Sequence, residues 1–303
     1  MSRILIGTCS WADESLIQSG RFYPDIAKTP EERLRYYASQ FPLVEVDSTY
    51  YTMPSYRTSI LWSERTPEGF VFDVKAFRVF THHWAERGVF PRDVQAVLPP
   101  LPPNKQGYYY DDVPEEVQSL LWHRFREALL PLHQRGKLGL ILFQFPSWVM
   151  PSSRAEAHIL KAQEMLPDCR LAIEFRNALW LSEKSLGRTL SFLRSNRLSF
   201  VCVDEPQGFR SSLPPLAEVT ADIAYVRFHG RNTATWEAKG ITAAERFDWY
   251  YKAEEFEEWV PRIQYLREKA SEVHLLMNTN RHDQGPANAR LLRNVLQSHL
   301  VLD

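Results

Sequence analysis

Cysteine is scarce in this chain of 303 residues, which contains only Cys9, Cys169 and Cys202. The three are odd in number, lie far apart and lack the close spacing of zinc ligands, so neither a disulfide framework nor a zinc finger is expected. A chain of this length can bury about three-quarters of its unfolded surface, and its stability therefore needs no disulfides. Scarce and dispersed cysteines are typical of proteins from a reducing compartment.

The sequence also lacks any apolar run long enough to cross a membrane. Its first strand-like segment begins almost at Met1, which leaves no room for a secretion signal. Together with the cysteine usage, these absences predict a cytoplasmic, soluble protein without a membrane partner.

Neither sign of charge is in excess, and the common nucleotide and serine-hydrolase motifs are missing. The 36 Lys and Arg residues balance 37 Asp and Glu residues at a net charge of −1, so no global basic field attracts nucleic acid. No P-loop and no G-x-G-x-x-G occurs, and we expect no nucleotide cofactor. The absence of G-x-S-x-G argues against a serine nucleophile on a strand-to-helix elbow.

What the sequence does contain is eight short apolar runs, each carrying polar or ionisable residues on one phase of the strand period. Successive side chains of a strand point to opposite faces, so each run has one polar and one apolar face. The runs are Ile4–Thr8, Leu43–Thr49, Phe70–Lys75, Leu140–Gln144, Leu171–Arg176, Phe200–Asp204, Ile223–His229 and Val273–Asn278.

We take the polar face of these strands as the inward one. The opposite face is apolar, as in Val44, Phe72 and Ile141, and must be covered by other elements. A ring of strands with a helical coat and a charged interior is typical of an enzymatic barrel. The predicted inward residues are Glu45, Asp47, Asp73, Lys75, Gln144, Glu174, Arg176, Asp204, Arg227, His229, His274 and Asn278.

Helical patterns follow most of the strands, which predicts parallel strands joined by right-handed crossovers. We therefore predict an α/β fold, a TIM-type (β/α)8 barrel that forms a single domain over residues 1–303. The sixth unit is irregular, because the proline-rich segment 205–220 has no helical period. The predicted helices are 30–41, 55–65, 114–135, Ser153–Met165, 182–196, 254–269 and 286–299.

Length is concentrated in the loops that follow strands 1, 3 and 7. Loops after strands lie on the catalytic face of such a barrel, whereas loops after helices lie on the opposite face. These loops are rich in aromatic residues, which favours ordered structure, although aromatics can also simply cover the barrel end. We interpret residues 78–113 as an insertion or lid within the barrel. The three loops span residues 11–29, 78–113 and 230–251.

Eight short motifs occur in order along nearly the whole chain: Ile6–Trp11, Phe22–Pro24, Val44–Tyr51, Val74–Ala76, Thr81–His82, Phe143–Pro146, Glu174–Arg176 and Arg227–Arg231. This ordered set resembles the YecE-like family, also known as domain of unknown function 72. The resemblance implies a TIM-type barrel but no established activity. Two positions depart from the family pattern. Asp47 stands where the family often carries Asn, and the paired Asn after strand eight appears as Asn278 and Asn280, separated by Thr279.

The polar residues nearest the strand ends predict an enzyme that uses acid–base chemistry on a small anionic or sugar-like substrate. Glu45 or Glu174 can act as base and His229 as acid, because histidine titrates near neutral pH. Lys75 can stabilise negative charge, or form a Schiff base if its neighbours lower its pKa. Such chemistry favours a hydrolase, lyase or isomerase. The predicted substrate-binding residues are Trp11, Asp47, Tyr50, His82, Gln144, Arg176, Asp204, Arg231 and Asn278, with Arg176 and Arg231 as anchors.

Three other interpretations stay open at this point. Glu174, Asp204 and His229 could hold a divalent metal, with Asn278 nearby, as in isomerase-like or nucleic-acid-processing barrels. The loop aromatics and arginines could instead form a non-catalytic nucleic-acid-binding module. Finally, the inward charges could be a structural ion-pair network, the better interpretation for the deeper residues Asp73, Arg227 and His274.

Overall fold

The computed structural model describes residues 2–300 and contains a closed parallel barrel in which the strands follow one another in chain order, β1 to β8. All eight predicted strands are confirmed. Their bounds are β1 Arg3–Thr8, β2 Leu43–Val46, β3 Val71–Lys75, β4 Leu138–Gln144, β5 Arg170–Glu174, β6 Ser199–Asp204, β7 Ile223–Phe228 and β8 Glu272–Met277.

Helices surround the barrel, and within residues 2–300 no helix lies between β6 and β7, which confirms the irregular sixth unit. None of the helices in this range has the length and apolar character needed to cross a membrane. The helices are α1 Glu14–Ser19, α2 Pro30–Gln40, α3 Ser48–Tyr51, α4 Tyr56–Glu64, α5 Arg92–Val97, α6 Glu115–Gln134, α7 Ser153–Met165, α8 Leu186–Ser195, α9 Ala243–Arg246, α10 Ala253–Glu257, α11 Val260–Lys269 and α12 Gln284–His299. Short 3₁₀ helices span Arg78–Thr81, Arg87–Val89, Tyr110–Asp112 and Ala178–Leu181.

Local signals explain where several helices begin. Thr29 and Glu32 form a capping box at the start of α2, and the Ser152 side chain caps α7.

The predicted single helix over 254–269 is wrong, because the structure has two helices, α10 and α11. Pro261 stands in the first turn of α11, where its missing N–H costs nothing, but inside one continuous helix it would lose the bond to the carbonyl of Glu257.

The core lies between the barrel and its helices. The outward-facing side chains Val44, Phe72, Ile141 and Phe228 are completely buried there, as the apolar phase predicts. Burying each such side chain contributes about 1.5–3 kcal/mol. Gly7 marks a point of close approach, because a Cβ at this position would lie 2.1 Å from the Leu43 carbonyl oxygen.

A buried charged cluster lies deep inside the barrel, away from the carboxyl ends of the strands. His274 Nδ1 lies 2.7 Å from Asp73 Oδ2, and its Nε2 lies 2.7 Å from Glu272 Oε1. Asp73 Oδ1 also accepts a hydrogen bond from the Leu140 N–H at 2.7 Å. Burial lowers the pKa of an imidazole, but the two carboxylates outweigh it and raise the pKa of His274 to about 9. This cluster therefore ties β3, β4 and β8 together as an ion-pair network.

The raised pKa of His274 predicts a loss of stability in alkaline solution. The folded state holds this proton more tightly than the unfolded chain, whose histidine has a pKa near 6.5. The stabilisation is therefore complete below about pH 6.5 and disappears as the pH rises through about 9, a change on the order of 3 kcal/mol. Urea unfolding between pH 6 and pH 10 measures it. His274→Gln should be less stable at pH 6 and should lose this slope, whereas the exposed-histidine control His123→Gln should keep it.

Candidate functional site

The register of the barrel determines which of the predicted polar residues face inward. Glu45 pairs with Asp73 across β2 and β3, and Gln144 pairs with Glu174 across β4 and β5. Paired residues of parallel strands point to the same side of the sheet. The inward placement predicted for these four side chains is confirmed.

Arg227 from β7 lies at the centre of the buried polar interior. Its guanidinium donates to Glu174 Oε2 at 2.7 Å and to Glu45 Oε1 at 2.6 Å, and all three side chains are inaccessible to solvent. The other oxygen of Glu45 accepts a hydrogen bond from the Tyr225 hydroxyl at 2.5 Å. Burial raises the pKa of Glu45 to about 7, against the opposing effect of Arg227. Glu45 and Glu174 thus lie in closed ion pairs.

Arg176 links this interior to the strand ends. Its Nε lies 2.5 Å from Glu174 Oε1, its Nη1 donates to Glu205 Oε2 at 3.0 Å, and its Nη2 lies 3.0 Å from His229 Nε2. Although burial raises the pKa of a carboxyl, Arg176 and Arg227 hold the pKa of Glu174 well below its usual range. Glu174 is therefore ionised and a weak base.

His229 is buried and neutral. Burial and the neighbouring charge of Arg176 lower its pKa well below the usual value. Arg227 donates to Asn278 Oδ1, so Asn278 Nδ2 faces His229 Nδ1 at 2.8 Å, and the Arg176 guanidinium faces Nε2 at 3.0 Å. With its pKa lowered, His229 does not carry at neutral pH the extra proton that the predicted acid role uses, and it does not line the cavity at the strand ends.

A cavity of about 330 Å³, here called the mouth cavity, opens at the carboxyl ends of the strands. Six predicted site residues line it, while Glu45, Glu174 and His229 are not among its lining residues and are buried. The loops after the strands supply most of the remaining wall. The lining residues are Asp47, Tyr50, Tyr51, Lys75, Gln144, Pro146, Ser147, Arg176, Ser211, Trp236, Ala243, Arg246, Phe247, Asn278 and Asn280.

Lys75 and Asp47 form the accessible charged pair of the mouth cavity. Lys75 Nζ lies 3.1 Å from Asp47 Oδ1 and 4.9 Å from the ring centre of Tyr50. Burial lowers the pKa of the ammonium, but Asp47 and Glu45 outweigh it and raise the pKa. Lys75 is therefore a permanent cation, and the condition for a Schiff base, a lowered pKa, is not met.

The loop after β7 adds a cationic and aromatic wall that the sequence pattern does not identify. Arg246 donates to the backbone carbonyls of Thr235, Trp236 and Ala238, which holds this loop over the cavity. The Arg176 guanidinium lies 5.1 Å from the Trp236 ring centre. Trp236 lies in a loop and Arg246 ends the four-residue helix α9, so neither belongs to an element long enough to show a strand or helix period.

Asp204 does not face the cavity, and its predicted inward placement is wrong. Across β6 and β7, Val203 pairs with Arg227 and Asp204 pairs with Phe228, so Asp204 lies on the outward side. The next residue, Glu205, takes the inward position and binds Arg176. Burial raises the pKa of Glu205 to about 8, with Arg176 opposing. The sequence signal that could have identified Glu205 is its position next to Asp204. Either of these two adjacent acids could face inward at the end of β6.

Asp204 is stable in its outward position because three side chains donate hydrogen bonds to its carboxylate. It accepts hydrogen bonds from Trp259 Nε1 at 2.6 Å, from the Tyr251 hydroxyl at 2.7 Å and from Arg231 Nη2 at 2.7 Å. Arg231 also donates to Glu258 at 2.9 Å. Arg231, predicted as a substrate anchor, is therefore engaged in the helical layer and is not among the lining residues.

Trp11 and His82 are also absent from the cavity wall, contrary to their predicted roles. Trp11 is buried in the helical layer, with its ring centre 5.6 Å from that of Trp62 and 6.3 Å from that of Phe72. The His82 ring packs 4.1 Å from that of His158. Both residues belong to segments that the apolar core holds in place, and this packing determines their direction.

The ligand set predicted for a metal is not brought together. Asp204 points away from the barrel interior, whereas Glu174 and His229 are in contact at 3.3 Å. Throughout residues 2–300, no three His, Cys, Asp or Glu side chains form a group that could hold a metal ion.

Residues 78–113, interpreted from the sequence as an insertion or lid, pack mainly on α6. Phe80 stacks on Trp122 with ring centres 3.6 Å apart, and Arg124 of α6 forms an ion pair with Asp93. The lining residues of the mouth cavity include none from this segment. His83 of this segment contacts the lining residue Tyr50, with ring centres 5.3 Å apart.

Comparison with known proteins identifies relatives along the whole chain. A family model described as a protein of unknown function, DUF72, matches residues 5–302. The UPF0759 protein YunF of Bacillus subtilis (strain 168) is 29% identical over 297 residues, covering 97% of this chain and 94% of YunF.

Solved structures of DUF72 family proteins have the same fold. One from Thermotoga maritima MSB8 is 29% identical, with a TM-score of 0.74 and coverage of 97% of this chain and 99% of that chain. Another, from Enterococcus faecalis V583, is 26% identical, with a TM-score of 0.75 and coverage of 98% of both chains. The chain therefore belongs to the DUF72 family, in agreement with the resemblance of its motifs to the YecE-like family.

Proposed function

We propose that this protein is an enzyme that performs acid–base chemistry on a small anionic substrate bound in the mouth cavity. The observation that carries the proposal is the lining of that cavity, which contains three cationic side chains, Lys75, Arg176 and Arg246, and a single carboxylate, Asp47. The position supports it as well, because the active sites of such barrels lie at the carboxyl ends of the strands.

The cationic side chains supply the binding of the anionic group. A guanidinium has five N–H donors, so the contacts of Arg176 with Glu174, Glu205 and His229 leave donors for a ligand. The amides of Gln144 and Asn278 line the same cavity and suit the hydroxyl groups of a sugar-like substrate. Because the surrounding ion pairs hold Arg176 rigidly, little conformational entropy is lost on binding.

The pair of Asp47 and Lys75 supplies the chemistry. Asp47 takes the place predicted for Glu45 or Glu174, since its carboxylate is accessible from the cavity. As general base it removes a proton from the substrate, and the Lys75 ammonium stabilises the negative charge that develops on the neighbouring oxygen. Glu45, Glu174 and Arg227 support the site from below without touching the substrate.

Binding of simple phosphates tests this proposal. Inorganic phosphate and ribose 5-phosphate should bind the wild-type protein in calorimetric titrations, and Arg176→Gln should weaken both about tenfold or more, because a charge-assisted hydrogen bond contributes about 1.5–3 kcal/mol. The control Arg188→Gln removes a guanidinium that pairs with Glu156 on the helical surface and should bind like the wild type. Equal affinity of Arg176→Gln and the wild type, or absence of binding to the wild type, contradicts the proposal.

A further inference from the structure

Two aromatic side chains are exposed beside the mouth cavity. Tyr51 is 54% exposed and Trp148 is 59% exposed, values that are unusual for large aromatic residues. Tyr51 lines the cavity itself, and Trp148 directly follows Ser147, which also lines it. We call Tyr51 and Trp148 the rim platform.

The rim platform is held in place by a row of rings along one wall. Tyr50 lies 5.0 Å from Tyr51 and 5.3 Å from His83, and His83 lies 5.6 Å from Trp148, measured between ring centres. The interplanar angles are 88°, 80° and 70°, so the rings meet edge to face. Edge-to-face contacts use part of each ring and leave ring surface of Tyr51 and Trp148 open to a ligand.

The charge of the cavity matches a phosphate monoester. Lys75, Arg176 and Arg246 contribute three positive charges and Asp47 one negative charge, which leaves two positive charges in the lining. A phosphate monoester carries a charge of about −1.5 to −2 at neutral pH, whereas a carboxylate carries one negative charge. The lining is therefore better balanced by a phosphate than by a carboxylate.

The size of the cavity limits how much of a ligand it encloses. Its volume of about 330 Å³ lies at the lower end of small-molecule sites, which range from about 300 to 1,000 Å³. A phosphorylated sugar fits this space, and a larger attached group must extend to the rim. The group best suited to an exposed tyrosine or tryptophan is a flat ring that stacks on one of them.

We propose that the ligand of this site is a nucleoside monophosphate, with its phosphate and sugar in the mouth cavity and its base on the rim platform. This inference rests on the proposed function and adds the class of substrate. Stacking of one base on an aromatic side chain corresponds to about a 5- to 150-fold gain in affinity. The platform is sequence-tolerant, because every base presents a flat face.

Calorimetric titration with ribose 5-phosphate and with adenosine 5′-monophosphate tests the inference. The mononucleotide should bind the wild-type protein about 5- to 150-fold more tightly than ribose 5-phosphate. At least one of the variants Trp148→Leu and Tyr51→Leu should reduce this ratio severalfold. The matched control Tyr265→Leu removes a tyrosine that is 39% exposed on α11 and should keep the full ratio. Circular dichroism verifies that each variant is folded.

The outcomes separate this inference from the proposed function. Equal affinities for the two compounds overturn the proposed stacking of a base on the rim platform but leave the proposed anion site in place. Tighter binding of the mononucleotide that persists in both Trp148→Leu and Tyr51→Leu also overturns it, because the base then contacts other residues. If neither ribose 5-phosphate nor the mononucleotide binds the wild-type protein, the inference and the proposed function are overturned together.

Discussion

Arg227→Met is expected to lower the free energy of unfolding by about 3–5 kcal/mol, because it leaves buried carboxylates without their counter-charge. Arg227 binds Glu45 and Glu174 at 2.6 and 2.7 Å, and none of the three side chains is accessible to water. Methionine fills similar space but offers no donors, so the variant must either bury ionised carboxylates or protonate them. Both cost free energy at neutral pH.

Chemical denaturation of Arg227→Met and of the wild type measures this loss. The deficit should be smaller at pH 5 than at pH 8, since protonation of the unpaired carboxyls removes their buried charge. Glu45→Gln combined with Arg227→Met should recover part of the stability, because one uncompensated carboxylate is then absent. The control Arg188→Met breaks the exposed pair with Glu156 and should cost at most about 1 kcal/mol. A loss below that value for Arg227→Met would show that the buried network does not hold the barrel together.

Lys75→Met is expected to reduce turnover of the natural substrate about 10²- to 10³-fold, the usual effect of removing a group that stabilises developing negative charge. It should also weaken phosphate binding about tenfold or more, as estimated for a lost charge-assisted hydrogen bond. Titration with inorganic phosphate measures the second effect without knowledge of the substrate. Lys75→Arg should retain part of the affinity, because it keeps the positive charge beside Asp47.

The role of Lys75 as a charge, and not as a nucleophile, has its own test. Because Asp47 and Glu45 raise its pKa, Lys75 stays protonated, and borohydride treatment with a carbonyl compound should trap no adduct on it. The control Lys161→Met changes a half-exposed lysine on α7 that pairs with Glu164, and it should bind phosphate like the wild type. Unchanged phosphate affinity in Lys75→Met would remove this residue from the site.

Much of the fold follows from local patterns. The Ser153–Met165 helix is predicted with its observed bounds, because Ser152 caps it and the apolar residues keep a helical period. The strands are equally clear, since an outward face such as Val44 and Phe72 must be apolar under a helical coat. The irregular connection after β6 follows from its prolines.

The candidate site is predictable only in part. The inward phase correctly identifies Lys75, Gln144 and Arg176, because their strands have a single polar phase. It fails at β6, where Asp204 and Glu205 offer a carboxylate to each face, and only pairing with β7 decides between them. Arg246 ends the four-residue helix α9, which is too short to show a helical period, so the sequence pattern does not identify it.

The sequence by itself determined the closed barrel, the end that carries the candidate site and most of the inward charges, because strand and helix periods act over neighbouring residues. The tertiary structure alone decided which of those charges a ligand can reach. Arg227 neutralises Glu45, which lies 182 positions away, and buries it, whereas Lys75 and Asp47 remain at the cavity. Such pairing depends on barrel closure and on where the loop after β7 packs, and contacts of that range leave no signature in a local pattern.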